Sequence, residues 1–144
     1  VSINSIELIS LDGIAKTREG AINEAAEMLI RSGAVTPGYR ESMFARESSV
    51  STYMGNYLAI PHGTLESQEQ VLSSALAIIR YPQPIMWGED QVRFVIGIAG
   101  KDGTHLEALG RIAEIFSNLE TVEEILAASS EDQVRSIFSR TNNS

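Results

Sequence analysis

The stretch Val92-Arg93-Phe94-Val95-Ile96-Gly97-Ile98-Ala99 is apolar almost without interruption, the composition of a central strand covered on both faces. Gly97 and Gly100 within and after it allow close approach of neighbouring backbone. The run gives way to Gly100-Lys101-Asp102-Gly103-Thr104-His105-Leu106-Glu107 and then to Leu109, Ile112, Ala113 and Phe116 at helical spacing. Thr104 and Glu107 stand at capping-box spacing, which makes Thr104 the N-cap and His105 the first helical residue.

Working back from this strand, Ser74 to Tyr81 reads as a second, mostly buried strand, followed by a loop flanked by Pro82 and Pro84. A brief edge segment is expected over Ile85-Met86-Trp87-Gly88. Before it, Tyr57-Leu58-Ala59-Ile60 forms a strand that ends at Pro61-His62-Gly63-Thr64, because proline removes a donor and biases Ile60 to an extended conformation. Gly63 is expected to leave the far side of the His62 ring open. Thr64 is expected to cap a short helix over Leu65 to Val71, whose free N–H groups would favour an anion. The serine-rich segment Ser48 to Asn56 reads as a loop.

Nearer the N-terminus, Ser5 to Ile9 suggests a first strand leading to the turn Asp12-Gly13. Thr17 caps a helix whose Ala21, Ile22, Ala25, Ala26, Met28 and Leu29 share one face until Gly33. Thr36-Pro37 opens a second helix, with Thr36 as N-cap, that runs through Tyr39, Met43 and Phe44 toward Arg46 and Glu47. Two helices, about Val122 to Ala128 and Glu131 to Ser139, close the chain before a frayed polar tail over 141–144. The order implies one α/β domain over 1–144, a sandwich with a mixed, largely parallel sheet and helices on both faces. Ligand sites in such sheets gather beyond the carboxyl ends of strands, where both histidines are predicted to lie.

The 144 residues suffice for one well-buried core, and 43% apolar with 21% charged residues fits a globular chain. No apolar run approaches the roughly 20 residues of a membrane span, and the N-terminus does not resemble a signal peptide, so a cytoplasmic location without membrane insertion is expected. A formal charge of -8, from 19 acidic and 11 basic residues, disfavours nucleic acid and suits a basic protein partner. The absence of cysteine excludes disulfides, thiolate nucleophiles and thiolate metal sites.

The two histidines therefore carry the chemical argument. Each follows a strong strand at a glycine-containing turn beside a helix start, which favours a shared site over two turn-filling histidines. In such a site a neutral His62 could be a nucleophile, and His105 could donate to a developing anion. A zinc site would have to recruit Asp102 or Glu107, and no compact ligand motif is present. A serine-hydrolase elbow and a Walker loop are also absent. Arg46 has two readings: a guanidinium clamp on phosphate, or a helix-terminal arginine paired with a carboxylate such as Glu47.

Gly55-Asn56-Tyr57-Leu58-Ala59-Ile60-Pro61-His62-Gly63-Thr64, with Val95-Ile96-Gly97-Ile98-Ala99 and Thr104-His105-Leu106, resembles the IIA component of the bacterial sugar phosphotransferase system, mannitol/fructose class. The resemblance runs from about Ile6 to Phe138. It implies that His62 accepts a phosphoryl group from the histidine-phosphorylated carrier HPr and passes it to a cysteine of the IIB domain. The membrane domain IIC then couples it to sugar uptake. His105 matches the second active-site histidine and Arg46 the arginine that holds the phosphoryl group; no nucleotide cofactor or metal is implied. Tyr53-Met54-Gly55-Asn56, Arg46-Glu47 and Tyr81-Pro82 through Trp87-Gly88-Glu89 resemble the mannitol branch more than the fructose or nitrogen-regulatory branches. The threonine before His105 and the glycine-rich turn ahead of it depart from that branch. A regulatory IIA-like module, its phosphorylation state read by a partner, is the alternative.

Overall fold

The computed structural model describes residues 8–101 and 105–142. The elements are β1 (Leu8–Ser10), α1 (Arg18–Arg31), α2 (Tyr39–Ser49), β2 (Tyr53–Gly55), β3 (Leu58–Ala59), a 3-10 helix (Leu65–Gln70), β4 (Ala75–Trp87), β5 (Asp90–Ala99), α3 (His105–Phe116), α4 (Leu119–Ala127) and α5 (Glu131–Asn142). The strands form one mixed sheet in the order β1-β4-β5-β3-β2. The β1–β4 and β3–β5 junctions are parallel, and β4–β5 and β2–β3 are antiparallel. The longest ladder is the β4–β5 hairpin, so the pairing is divided between the two kinds.

Alternation along β5 sorts the core into two layers. Phe94, Ile96 and Ile98 face a cluster with Ile112, Phe116, Val122, Ile125 and Phe138. Val95 and Ala99 face the opposite cluster, with Ala21, Ile22, Leu29, Tyr39 and Met43. At Gly97 α1 approaches closely: a Cβ there would lie 2.9 Å from that of Ala25. The carboxyl ends of β3 and β5 consequently leave the same edge of a sheet covered on both sides.

Several local expectations are corrected by pairing at long sequence separation. The segment predicted as a Pro82–Pro84 loop and a separate edge piece lies within β4, where a register shift between Arg80 and Ile85 accommodates prolines that cannot donate to a ladder. Its hairpin closes through Gly88-Glu89, with Gly88 at φ 70. The serine-rich segment holds the last turn of α2 and the edge strand β2, which exists because β3 pairs with it. Asn56 and Tyr57 make the connecting turn at φ 50 and 70, which shortens the predicted Tyr57–Ile60 strand to Leu58–Ala59.

Thr17 does cap α1, accepting the Gly20 N–H at 3.0 Å. Thr36 does not cap α2, because its hydroxyl is engaged by Gln70. The helix begins after Gly38, which has no side chain to cap with, and a turn through Thr36 and Pro37 leads into it. Asn118 starts α4 earlier than predicted by accepting from Glu120 and Thr121. The last helix continues to Asn142, into the expected tail. Thr104, the expected cap of α3, lies outside the described residues, as does the predicted first strand ahead of Leu8.

Candidate functional site

His62 lies where the sheet runs out. The Ile98 N–H donates to the Pro61 carbonyl at 3.0 Å, and His62 itself forms an isolated parallel bridge with Ile98. The half-buried imidazole is thereby set beside the carboxyl end of β5, the strand that leads to α3. His62 Nδ1 is 2.8 Å from the carbonyl oxygen of Ile60. A carbonyl can only accept, so the proton of the neutral ring is on Nδ1 and the lone pair is on Nε2.

The turn after His62 is held by α2. The Gly63 N–H donates to the Tyr39 hydroxyl at 2.9 Å, and that hydroxyl donates to the Ile98 carbonyl at 2.8 Å. The Thr64 N–H donates to Ser42 Oγ at 2.9 Å, and the two hydroxyls are 3.2 Å apart. These contacts revise one expectation: Thr64 makes no capping bond to the 3-10 helix, and its own N–H and that of Gly63, ahead of that helix, are engaged by Ser42 and Tyr39. The glycine answers a demand set by α2. A Cβ on Gly63 would stand 2.5 Å from the Tyr39 ring, 2.7 Å from Ser67 Oγ and 2.8 Å from Ser42 Oγ, so glycine lets the turn close onto α2.

Tyr39 is almost fully buried, and burial raises its phenol above the ordinary range, opposed by the Gly63 N–H bond. It remains a neutral group that both accepts and donates. In the sequence Tyr39 is only one of the residues along the second helix, and nothing singles out Ser42. The only local signal is their spacing, which puts both on one side of α2.

Arg46 follows Ser42 by one helical turn and so continues that side of α2. Its guanidinium donates to the Val50 carbonyl at 2.7 Å, beyond the helix end. Glu47 is not its partner in a salt bridge. That carboxylate accepts from the Thr52 N–H at 3.2 Å and the Trp87 indole N–H at 3.0 Å. His105 is the first residue of α3, and its imidazole lies outside the described residues. Among the described residues no group of three or more His, Asp or Glu is arranged to hold a metal ion.

The half-buried histidine thus stands at the shared carboxyl edge of β3 and β5. Residues 2–141 match the model of the family described as phosphoenolpyruvate-dependent sugar phosphotransferase system, EIIA 2. The chain belongs to this family. The mannitol-specific phosphotransferase enzyme IIA component of Halalkalibacterium halodurans is 43% identical over 141 residues, 98% of this chain and 97% of that protein. The corresponding component from Bacillus subtilis is 42% identical over 137 residues, 94% of this chain and 96% of its own length. Among solved structures, IIA mannitol from Escherichia coli superposes with a TM-score of 0.84 at 32% identity, covering 90% of this chain and 94% of that one. A complex of enzyme IIAMTL and phosphorylated enzyme IIBMTL from the same organism gives 0.86 at 31%, covering 92% and 94%. As a IIA protein, the chain is a phosphotransferase component of a sugar phosphotransferase system. Its helices, among the described residues, include none long and apolar enough to cross a membrane.

Proposed function

We propose that this IIA protein carries a phosphoryl group on His62 Nε2 between phospho-HPr and the IIB domain of a mannitol transporter. The observation that carries this reading is the 2.8 Å contact from His62 Nδ1 to the Ile60 carbonyl, which directs the nucleophilic lone pair to Nε2. Nε2 attacks phosphorus as the P–N bond to the donor imidazole breaks, and the electron pair leaves with that imidazole. In the second step the new P–N bond breaks as a thiolate of IIB attacks. The group is activated throughout, so alignment and charge stabilisation matter more than acid-base work.

Arg46 supplies the clamp in this reading. A guanidinium has five donors, and the Val50 carbonyl leaves others for phosphate oxygens. His105, at the start of α3, is the second donor to the transferred group. The net charge of -8 suits docking to a carrier with a basic face. The phosphoryl group reaches sugar through IIC, and the relay itself works in the cytoplasm. Identity of 43% to mannitol-specific components favours mannitol. A nitrogen-regulatory protein IIA-Ntr from Neisseria meningitidis is 28% identical, with a TM-score of 0.79.

Incubation with Enzyme I, HPr and labelled phosphoenolpyruvate tests the assignment. The parent takes up label, His62→Ala takes up none, and His105→Ala is labelled but transfers poorly to IIB. Undiminished labelling of His62→Ala would sink the reading. Mannitol-specific and fructose-specific IIB acceptors, offered in parallel, decide the branch.

A further inference from the structure

Two side chains of α2 do what backbone pairing does elsewhere along β3. Up to His62 the chain is held by the sheet: the Ile60 N–H reaches the Thr52 carbonyl at 3.0 Å, and the Pro61 carbonyl takes the Ile98 N–H. Past His62 the described residues pair no further strand with the chain, and the next two N–H groups, those of Gly63 and Thr64, go to Tyr39 Oη and Ser42 Oγ. The Tyr39 hydroxyl spends its one proton on the Ile98 carbonyl, so it links the residue after His62 to the residue paired with His62 on β5. The same helix carries Arg46 one turn beyond Ser42.

Resting on the reading of His62 as the phosphoryl acceptor, we infer that Tyr39 and Ser42 are positioning residues for phosphoryl transfer. They lock the backbone on the far side of His62, and through it the ring orientation that keeps Nδ1 on the Ile60 carbonyl. Because the two tethers and Arg46 share one helix, they also fix the guanidinium and the nucleophile to a single rigid element. The physical demand is severe, since a misplacement of about 1 Å can cost on the order of a hundredfold in rate. Burial keeps the Tyr39 phenol neutral, so the bridge persists across the working range of pH.

The test compares the parent with Tyr39→Phe, Ser42→Ala and Ser42→Thr in single-turnover phosphorylation at varied phospho-HPr concentration, with 15N spectra of the histidine ring. Tyr39→Phe and Ser42→Ala should lower the maximal rate about tenfold with half-saturation unchanged, and Ser42→Thr should recover most of the loss. In Tyr39→Phe the 15N pattern of His62 should change from one tautomer to a mixture. Parental maximal rates with an unaltered 15N pattern overturn the inference, as does a loss confined to half-saturation, which would mark a docking contact. If Tyr39→Phe fails to fold by circular dichroism, Ser42→Ala decides alone, and a parental rate there overturns the inference. A parent that takes no label on His62 sinks the relay reading and this inference together. A labelled parent with fully active variants sinks this inference only.

Discussion

The Nδ1 nitrogen of His62 lies 2.8 Å from the carbonyl oxygen of Ile60, so the imidazole is bonded back onto its own chain. One geometric fact selects the tautomer, and it does so before any partner binds. The 15N spectrum of neutral His62 should therefore show a protonated Nδ1 and a pyridine-like Nε2. A predominant Nε2–H tautomer would contradict the structure.

Gly63→Ala should damage both fold and function. The added methyl meets the Tyr39 ring, Ser42 and Ser67 at 2.5–2.8 Å, and relief requires the turn to lift off α2. A stability loss of about 1–3 kcal/mol is expected from such overpacking, with a larger proportional fall in phosphorylation rate. Urea unfolding and phosphate labelling measure the two effects separately, and a fully active, fully stable Gly63→Ala would refute the packing argument.

Arg80 ties β4 to the opposite layer. Its guanidinium donates to the carbonyls of Leu11, Ile125, Leu126 and Ala128, so a cation satisfies the exposed carbonyls at the end of α4. Arg80→Met leaves those acceptors unpaired and should cost about 2–3 kcal/mol in urea unfolding. Arg80→Lys, which lacks the fork, should fall between the two. Phosphorylation of the folded fraction should be unaffected.

Glu47 joins three elements, accepting from Thr52 at the start of the β2 segment and from the indole of Trp87 at the end of β4. Trp87 is the one tryptophan in the chain and is 2% exposed. Removing the carboxylate with Glu47→Ala strands a buried indole N–H, at a cost of about 1–3 kcal/mol. The fluorescence maximum of native Trp87 should shift in this variant, and an unchanged spectrum would contradict the contact.

Alkaline pH should weaken the fold. Burial raises the Tyr39 phenol, and burial raises Tyr81 further, with the hydrogen bond to Glu24 and its charge adding to the effect. The unfolded chain releases these protons near pH ~10, where the folded chain still holds them. Above that pH the unfolded state binds fewer protons, so stability falls as pH rises; well below it the two states match and nothing is lost. Urea midpoints taken at pH ~8 and ~10.5 should diverge less in Tyr81→Phe than in the parent.

Much of the layered fold can be read along the chain. The period-2 pattern of Phe94, Ile96 and Ile98 against Val95 and Ala99, and the Thr17 cap with its apolar face, are local, and each survives in the structure. The hairpin of β4 was not legible, because Pro82 and Pro84 look like a loop until a register shift lets the strand pass them. Strand β2 is equally hidden: three residues acquire strand character only from a neighbour.

The sequence by itself determined that His62 ends a strand at Pro61 and that His105 follows the central strand, since proline chemistry and apolar runs act on adjacent residues. Only the tertiary structure decided how the turn at His62 is held. Tyr39 reaches Gly63 across 24 residues and Ile98 across 59, and no periodicity records a hydrogen bond between parts of the chain so far apart. A tyrosine on an apolar helix face reads as core. Its hydroxyl acquires a task only when folding presents it with one backbone donor and one backbone acceptor beside the same histidine.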